Sequence, residues 1–148
     1  METWRVATRL SVVVIVSLAI PPLSHADCVA LWKTARDAQR LSTVVFSGTV
    51  VKTDGSLETS FEVDRVWKGD VRRRTTLTLF PGIESYGASS FKEGGAYLVF
   101  ARAMNRLVRT DDGQDTPVFE ISVCSGTRPL SEAQELVNQL GRAKPPRP

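Results

Sequence analysis

Histidine and cysteine, which carry much of the nucleophilic and zinc chemistry of proteins, are almost missing from this sequence. Its 148 residues include one histidine, His25, and two cysteines, Cys28 and Cys124. A Ser-His-Asp or Cys-His centre needs a histidine, and zinc sites draw most of their ligands from these two residue types. Because His25 falls in a segment predicted to be removed, we expect no enzyme, no catalytic residue, no cofactor and no metal.

The sequence also has no hydrophobic run long enough to cross a bilayer. The longest run, Leu10 to Ile20, has about 11 residues, against the roughly 20 that a transmembrane helix requires. Its flanks are those of a secretory signal: Arg5 and Arg9 before it, Pro21-Pro22 after it, and small residues at Ser24 and Ala26. This pattern predicts a signal peptide at residues 1–26, cleaved near Ala26. We therefore expect a secreted, periplasmic or extracellular protein without a stable membrane anchor.

A strong excess of positive charge is absent too. The chain carries 19 Lys and Arg against 16 Asp and Glu, and removing residues 1–26 lowers the net charge from +3 to about +2. Nucleic-acid binding depends on several cations clustered on one face. So small an excess, in an exported chain, argues against a nucleic-acid partner.

The two cysteines both lie in the predicted mature chain. Cysteines in an oxidising environment pair by default, so we predict a Cys28–Cys124 disulfide that ties the first residues of the domain to its last strand. In the loop-entropy account, closing a loop of about 100 residues contributes roughly 4–5 kcal/mol. That is comparable with the net stability of a small domain.

The mature chain alternates β-rich runs with turn residues. Its periodicity predicts strands near residues 43–51, 61–67, 75–80, 96–101, 106–110 and 118–124. A short helix is favoured at 29–41, and a second opens at Pro129 and Ser131 and stops at Gly141. The interpretation is one domain at 27–141, mainly β: a five- to six-stranded OB-type closed barrel with short N-terminal and C-terminal helices. Residues 142–148 are predicted to be a disordered proline-rich tail.

Two charged runs and one aromatic residue invite functional interpretation. The run Asp111 to Asp115 lacks the alternating ligands and distant glutamate of a calcium loop, which indicates a solvated acidic turn. Arg72, Arg73 and Arg74 lie beside a strand turn, where they either contact an acidic partner or glycan or guard a strand end against edge pairing. If the barrel binds an oligonucleotide, Trp67 is the aromatic residue expected to stack on a base.

Four blocks of sequence, taken in order, resemble a known family. They are residues 45–50, then 61–63 with 66–69, then Phe91, Gly94 and 97–100, and last the stretch 124–130 that begins Cys-Ser-Gly-Thr-Arg. The order resembles the netrin-like domains related to tissue inhibitors of metalloproteinases, in a compact form without the C-terminal part. The likeness covers about residues 28–141. It implies an OB-type barrel with the terminal helices packed on it.

The resemblance also implies an activity at the start of the mature chain. In the inhibitors, the first residue is a cysteine whose α-amino group and carbonyl oxygen bind the protease zinc. Here the predicted cut leaves Asp27 ahead of Cys28, only one N-terminal cysteine is present, and Tyr86-Gly87 stands where a middle Cys-Gly would fall. The implied contact edge is Asp27, Cys28 and Val29.

These features together predict a secreted protein-binding module. The leading hypothesis is inhibition of an extracellular zinc metalloprotease through the N-terminal edge. The alternative is an extracellular or envelope adhesion or structural module that binds through the barrel side near Arg72, Arg73 and Arg74. An oligonucleotide-binding barrel is a third reading, which depends on Trp67.

Overall fold

The computed structural model describes residues 34–80, 90–109, 113, 115–122 and 124–148. This part of the chain forms six strands and two α-helices in the order α1 (Ala35–Leu41), β1 (Val44–Thr53), β2 (Glu58–Lys68), β3 (Arg74–Leu79), β4 (Ala96–Arg109), β5 (Asp115–Glu120), β6 (Arg128–Pro129) and α2 (Gln134–Leu140). A 3₁₀ turn at Leu130–Glu132 joins β6 to α2. Within these ranges, no helix is long and apolar enough to cross a membrane.

The first five strands close into a barrel. Their order is β1-β2-β3-β5-β4, and β4 pairs back with β1. Four of the five pairings are antiparallel, whereas β3 and β5 run parallel, with Thr78 opposite Val118. The short β6 pairs with β4 outside this ring. The predicted mainly β closed barrel with a helix on its N-terminal and C-terminal sides is confirmed.

The barrel interior is built on aromatic side chains. Phe46, Phe61, Phe91 and Tyr97 contact one another edge to face in that order, with ring centroids 4.9–5.3 Å apart. Each is at most 6% exposed. Such pairs add to the free energy gained by burying the rings themselves. Aliphatic side chains from all five barrel strands or their turns fill the remaining space.

A second apolar layer lies between the barrel and the two helices. Val45 of β1 and Leu98 and Phe100 of β4 pack against α1 and α2, which supply Ala35, Ala38, Leu136 and Leu140. Because Tyr97, Val99 and Ala101 point into the barrel, the first half of β4 is buried on both faces. This explains why its first half reads as an unbroken apolar run.

The Trp67-Lys68-Gly69 block connects β2 to both helices. Trp67 Nε1 donates to the carbonyl oxygen of Gly141 at 2.9 Å. Lys68 Nζ donates to the carbonyl oxygens of Gln39 and Arg40 at the end of α1, at 2.9 and 3.1 Å. The last carbonyls of a helix have no donor within the helix; the Gln39 carbonyl also accepts from the Ser42 N–H at 3.3 Å, and Lys68 supplies a donor to both carbonyls.

Three sequence-based expectations about strand and helix ends are wrong. The strands predicted at 96–101 and 106–110 form one strand, because β4 continues to Arg109 and its second half pairs with β5. The last barrel strand ends at Glu120 rather than Cys124, since the chain turns where the Ser125 N–H donates to the Ser122 carbonyl oxygen. Ser131 lies in the 3₁₀ turn and does not cap α2, whose N-cap is Ala133. Gly141 does end α2, at a positive φ of 73°.

Candidate binding surface

The three consecutive arginines lie together at one open cavity. The cavity holds about 410 Å³ and is lined by Glu62, Arg72, Arg73, Arg74 and Pro148. We call the side chains of Arg72, Arg73 and Arg74 the arginine surface. All three residues are exposed. Arg72 and Arg73 lie in the turn that precedes β3, which begins at Arg74.

The backbone under the arginine surface is held from several sides. Val71 is 4% exposed and anchors the turn in the barrel interior. The Val63 N–H donates to the Arg73 carbonyl oxygen at 2.7 Å, and Thr75 Oγ1 donates to the Arg72 carbonyl oxygen at 2.8 Å. The backbone of the turn is therefore tied to β2 and β3 while its guanidinium groups face solvent.

The tail at residues 142–148 packs beside this turn, so the prediction that it is disordered is wrong for this structure. Lys144 exchanges two backbone hydrogen bonds with Val66, at 2.8 and 2.9 Å. Arg147 donates its N–H to the Val71 carbonyl oxygen at 2.9 Å and accepts from the Arg73 N–H at 2.7 Å. The Arg147 guanidinium also pairs with Asp70. The tail thus covers the edge of β2 beyond the start of β3.

Proline composition led to the wrong expectation for the tail. Among residues 144–148, Lys144 and Arg147 are the two that keep an amide proton, and both donate it to the barrel. The prolines favour an extended chain, which is the shape that a strand edge accepts. The sequence feature that indicates this pairing is the position of Lys144 and Arg147, the residues with an amide proton, within an extended proline-rich segment.

The charges around the cavity are unevenly matched. Arg74 pairs with Glu62 at 3.7 Å, and Arg147 pairs with Asp70. In the part of the chain that the structure describes, Arg72 and Arg73 form no ion pair. Two guanidinium groups at this cavity are therefore open to carboxylate or phosphate oxygens of another molecule.

Trp67 is engaged with its own chain. Its indole N–H is bonded to Gly141, and its ring packs on the apolar layer under the helices. The guanidinium carbon of Arg65 lies 5.4 Å from the ring centroid, within the range of a cation–π contact. Three further aromatic residues, Phe61, Tyr97 and Phe100, are each at most 6% exposed. The ring of Trp67 therefore offers less stacking surface than a free aromatic side chain.

A second cavity of about 250 Å³ lies beside α1 and the turn after β5. It is lined by apolar side chains that include Leu41 and Phe100, by three serines and by Cys124. Arg102 and Glu120, which face each other across the pairing of β4 with β5, form an ion pair of 2.6 Å at its wall. Both charges at this cavity are thus already neutralised by each other.

Several predicted site residues fall outside the described residues. These include the proposed protease-contact edge, Asp27, Cys28 and Val29, and most of the acidic turn at 111–115. Asp115 lies in β5 and pairs with Arg109 at 3.9 Å. Cys124 is not a free thiol, but with Cys28 outside the described ranges the Cys28–Cys124 pairing stays a prediction. The described residues contain no group of three or more His, Cys, Asp or Glu side chains that could hold a metal.

Comparison with other proteins adds no relative. No family model, curated protein or solved structure matches this chain.

Proposed function

We propose that this protein is an exported, non-catalytic module that binds a partner protein through the arginine surface. The observation that carries the proposal is that Arg72 and Arg73 are exposed at one cavity without an ion pair among the described residues. Arginine is favoured at protein interfaces because its planar group makes paired hydrogen bonds to carboxylates. The anchored turn beneath these side chains reduces the entropy lost when they bind.

The barrel supports this role by presenting the arginines on a rigid frame. Val71 is buried, and the flanking residues are hydrogen-bonded to β2, β3 and the tail. A contact surface whose backbone is hydrogen-bonded to regular secondary structure holds its geometry better than one on a free loop. Of the two binding hypotheses drawn from the sequence, the one that places contact on the barrel side thus has the more specific physical support.

A photo-crosslinking experiment tests the proposal. A crosslinking amino acid is placed at position 73, or at the exposed Arg36 of α1 as the matched control, in the protein exported by its native cells. The partner captured from position 73 alone is purified, and its affinity is measured for wild type, Arg72→Glu/Arg73→Glu and Arg36→Glu. We expect the double variant to bind at least about tenfold more weakly and Arg36→Glu to bind like wild type. Equal affinities for all three would refute the proposal.

Inhibition of a zinc metalloprotease is a second proposal, which depends on the netrin-like resemblance. The closed barrel agrees with the fold that the resemblance implies, although such a fold serves many functions. Intact-mass analysis of the mature protein tells whether it starts at Asp27 or Cys28. Zinc proteases are then assayed with the native and the N-terminally acetylated protein. If the amine binds zinc, acetylation abolishes inhibition; inhibition that is absent or unaffected by acetylation rules this function out.

A further inference from the structure

The tail builds part of the arginine surface and also limits what can bind there. Its Arg147 forms two backbone hydrogen bonds, one with Val71 and one with Arg73, on either side of Arg72. Pro148 lines the same cavity as the arginine side chains. The site is therefore composed of two segments that are distant in sequence, the turn after β2 and the end of the chain.

The prolines of the tail restrict the binding mode. An exposed strand edge binds peptides by main-chain hydrogen bonds, and specificity then comes from alternate side chains. Here the edge of β2 at Val66 is already paired with Lys144. Pro145, Pro146 and Pro148 have no N–H to offer a further strand. The prolines thus supply no main-chain donors to a partner, and the guanidinium groups at this cavity are the side-chain donors that it meets.

The acidic residues already present at this surface indicate which anion fits. Glu62 pairs with Arg74 and Asp70 with Arg147, so carboxylates of this chain satisfy two of the arginines. They also lower the local positive charge, which weakens attraction for densely charged polymers such as nucleic acids, whose binding depends on many net cations. Arg72 and Arg73 leave two further places for single carboxylates.

We infer that the partner presents an extended acidic peptide segment whose carboxylates bind Arg72 and Arg73, and that the tail is a required part of this site. The inference depends on the proposed function. The tail acts as a positioning element: it fixes the turn that carries the two guanidinium groups, and Pro148 forms one wall of the cavity.

The variant Asp70→Lys distinguishes two effects: positioning of the guanidinium groups by the tail, and simple electrostatic attraction between the surface and an acidic peptide. Asp70→Lys repels Arg147 and loosens the tail, yet it makes the surface more positive. Binding of a fluorescent oligoglutamate peptide is measured by anisotropy for wild type, Asp70→Lys, Arg72→Glu/Arg73→Glu and Arg36→Glu. Hydrogen exchange at the Arg73 amide, which donates to Arg147, reports whether the tail has loosened.

We expect Asp70→Lys to bind oligoglutamate about fivefold or more weakly, with faster exchange at Arg73, although attraction by charge alone would strengthen binding. Binding of Asp70→Lys that is as tight as wild type, with faster exchange, would overturn the role of the tail and leave the proposed function standing. If the Arg72→Glu/Arg73→Glu variant also bound like wild type, the arginine surface itself would be refuted as the contact.

The class of partner is tested with three probes of equal charge. Oligoglutamate is compared with a single-stranded oligonucleotide and a sulfated oligosaccharide in the same buffer, and with oligoglutamine as the uncharged control. We expect oligoglutamate to bind at least as tightly as the other two anions and oligoglutamine not to bind. Tighter binding of the oligonucleotide or the oligosaccharide, or no binding of oligoglutamate, would overturn the assignment of an acidic peptide.

Discussion

The side chain of Thr127 forms the hydrogen bonds with the main chain of Phe100 that a neighbouring strand would otherwise form. The Phe100 N–H donates to Thr127 Oγ1 at 2.9 Å, and this hydroxyl donates to the Phe100 carbonyl oxygen at 3.3 Å. Ser125 Oγ also donates to the Thr127 hydroxyl, at 3.0 Å. One threonine thus satisfies both main-chain groups of a residue that is 1% exposed.

Replacing this threonine by valine keeps the shape and removes the hydroxyl. The buried main-chain groups of Phe100 then lose a partner, which typically costs about 1–3 kcal/mol. We expect urea denaturation to show a loss of this size for Thr127→Val. Thr127→Ser, which keeps the hydroxyl, should stay within about 1 kcal/mol of wild type, the amount expected for one lost methyl group. Equal losses in both variants would contradict the role of the hydroxyl.

Gly48 permits the close approach of β1 to β2. A Cβ atom at this position would lie 2.6 Å from the carbonyl oxygen of Glu62, which is main chain and cannot move aside cheaply. We expect Gly48→Ala to lower the free energy of unfolding by about 1–3 kcal/mol, as overpacking does elsewhere. Thr49→Ala, on the same strand at a half-buried position, is the control and should cost less. Thermal unfolding measures the stability of both variants, and an equal loss in the two would contradict the role of Gly48.

The turn between β1 and β2 makes stability depend on pH through Asp54. Its Oδ1 accepts from the N–H groups of Ser56, Leu57 and Glu58 at 2.8, 2.9 and 3.0 Å. These bonds, that from Ser56 foremost, lower the pKa of Asp54 below its ordinary value of 3.8. A carboxyl group with a lowered pKa in the folded state stabilises the fold above its ordinary pKa, and this contribution is lost as the pH falls through the lowered value.

We therefore expect Asp54→Asn to be less stable than wild type near neutral pH, with the difference shrinking once the pH falls below about 3.8. The effect should be small, because Asp54 is exposed and solvent screens its charge. Urea midpoints of the two proteins across the acid range provide the measurement. A difference that stayed constant with pH would show that the charge is not involved.

The predicted Cys28–Cys124 disulfide has a direct chemical test. The native protein treated with iodoacetamide should gain no mass, and after denaturation and reduction it should gain the mass of two carbamidomethyl groups. Reduction should also lower the unfolding temperature, because a closure of about 100 residues contributes up to roughly 4–5 kcal/mol in the chain-entropy account. Alkylation of the native protein at both cysteines would exclude the pairing.

The barrel was predictable because its strands carry their own signals. The alternation of threonine and leucine at 75–80 corresponds to β3, which ends with Leu77, Thr78 and Leu79 buried. The unbroken apolar run at 96–101 forms the first half of β4. In each case, burial against a core imposes the residue pattern locally.

The sequence-based predictions were wrong where distant parts of the chain pair with each other. The second half of β4 is held as a strand by pairing with β5, and its exposed Asn105, Arg106 and Leu107 give little periodic signal. The position of the tail depends on the edge of β2 at Val66, which lies beyond the pairing with β3 and is more than 70 residues away in sequence. Composition near residue 144 contains no information about that edge.

The candidate site was only partly predictable for the same reason. Arg72, Arg73 and Arg74 stand out in the sequence, but Glu62, Asp70 and Pro148 acquire a role only through folding. Glu62 reaches Arg74 through the pairing of β2 with β3, and Asp70 holds the tail through its ion pair with Arg147. Sequence patterns report a residue's own burial more directly than its distant neighbours.

The first half of β4, which is buried on both faces, belongs to both apolar layers. Leu98 and Phe100 belong to the layer under the helices, and Tyr97 and Val99 to the barrel interior. Neither layer can separate without disturbing the strand that serves both. The domain should accordingly melt in one cooperative step, with the tryptophan signal, to which Trp67 contributes, and the tyrosine signal, to which Tyr97 contributes, changing at the same temperature.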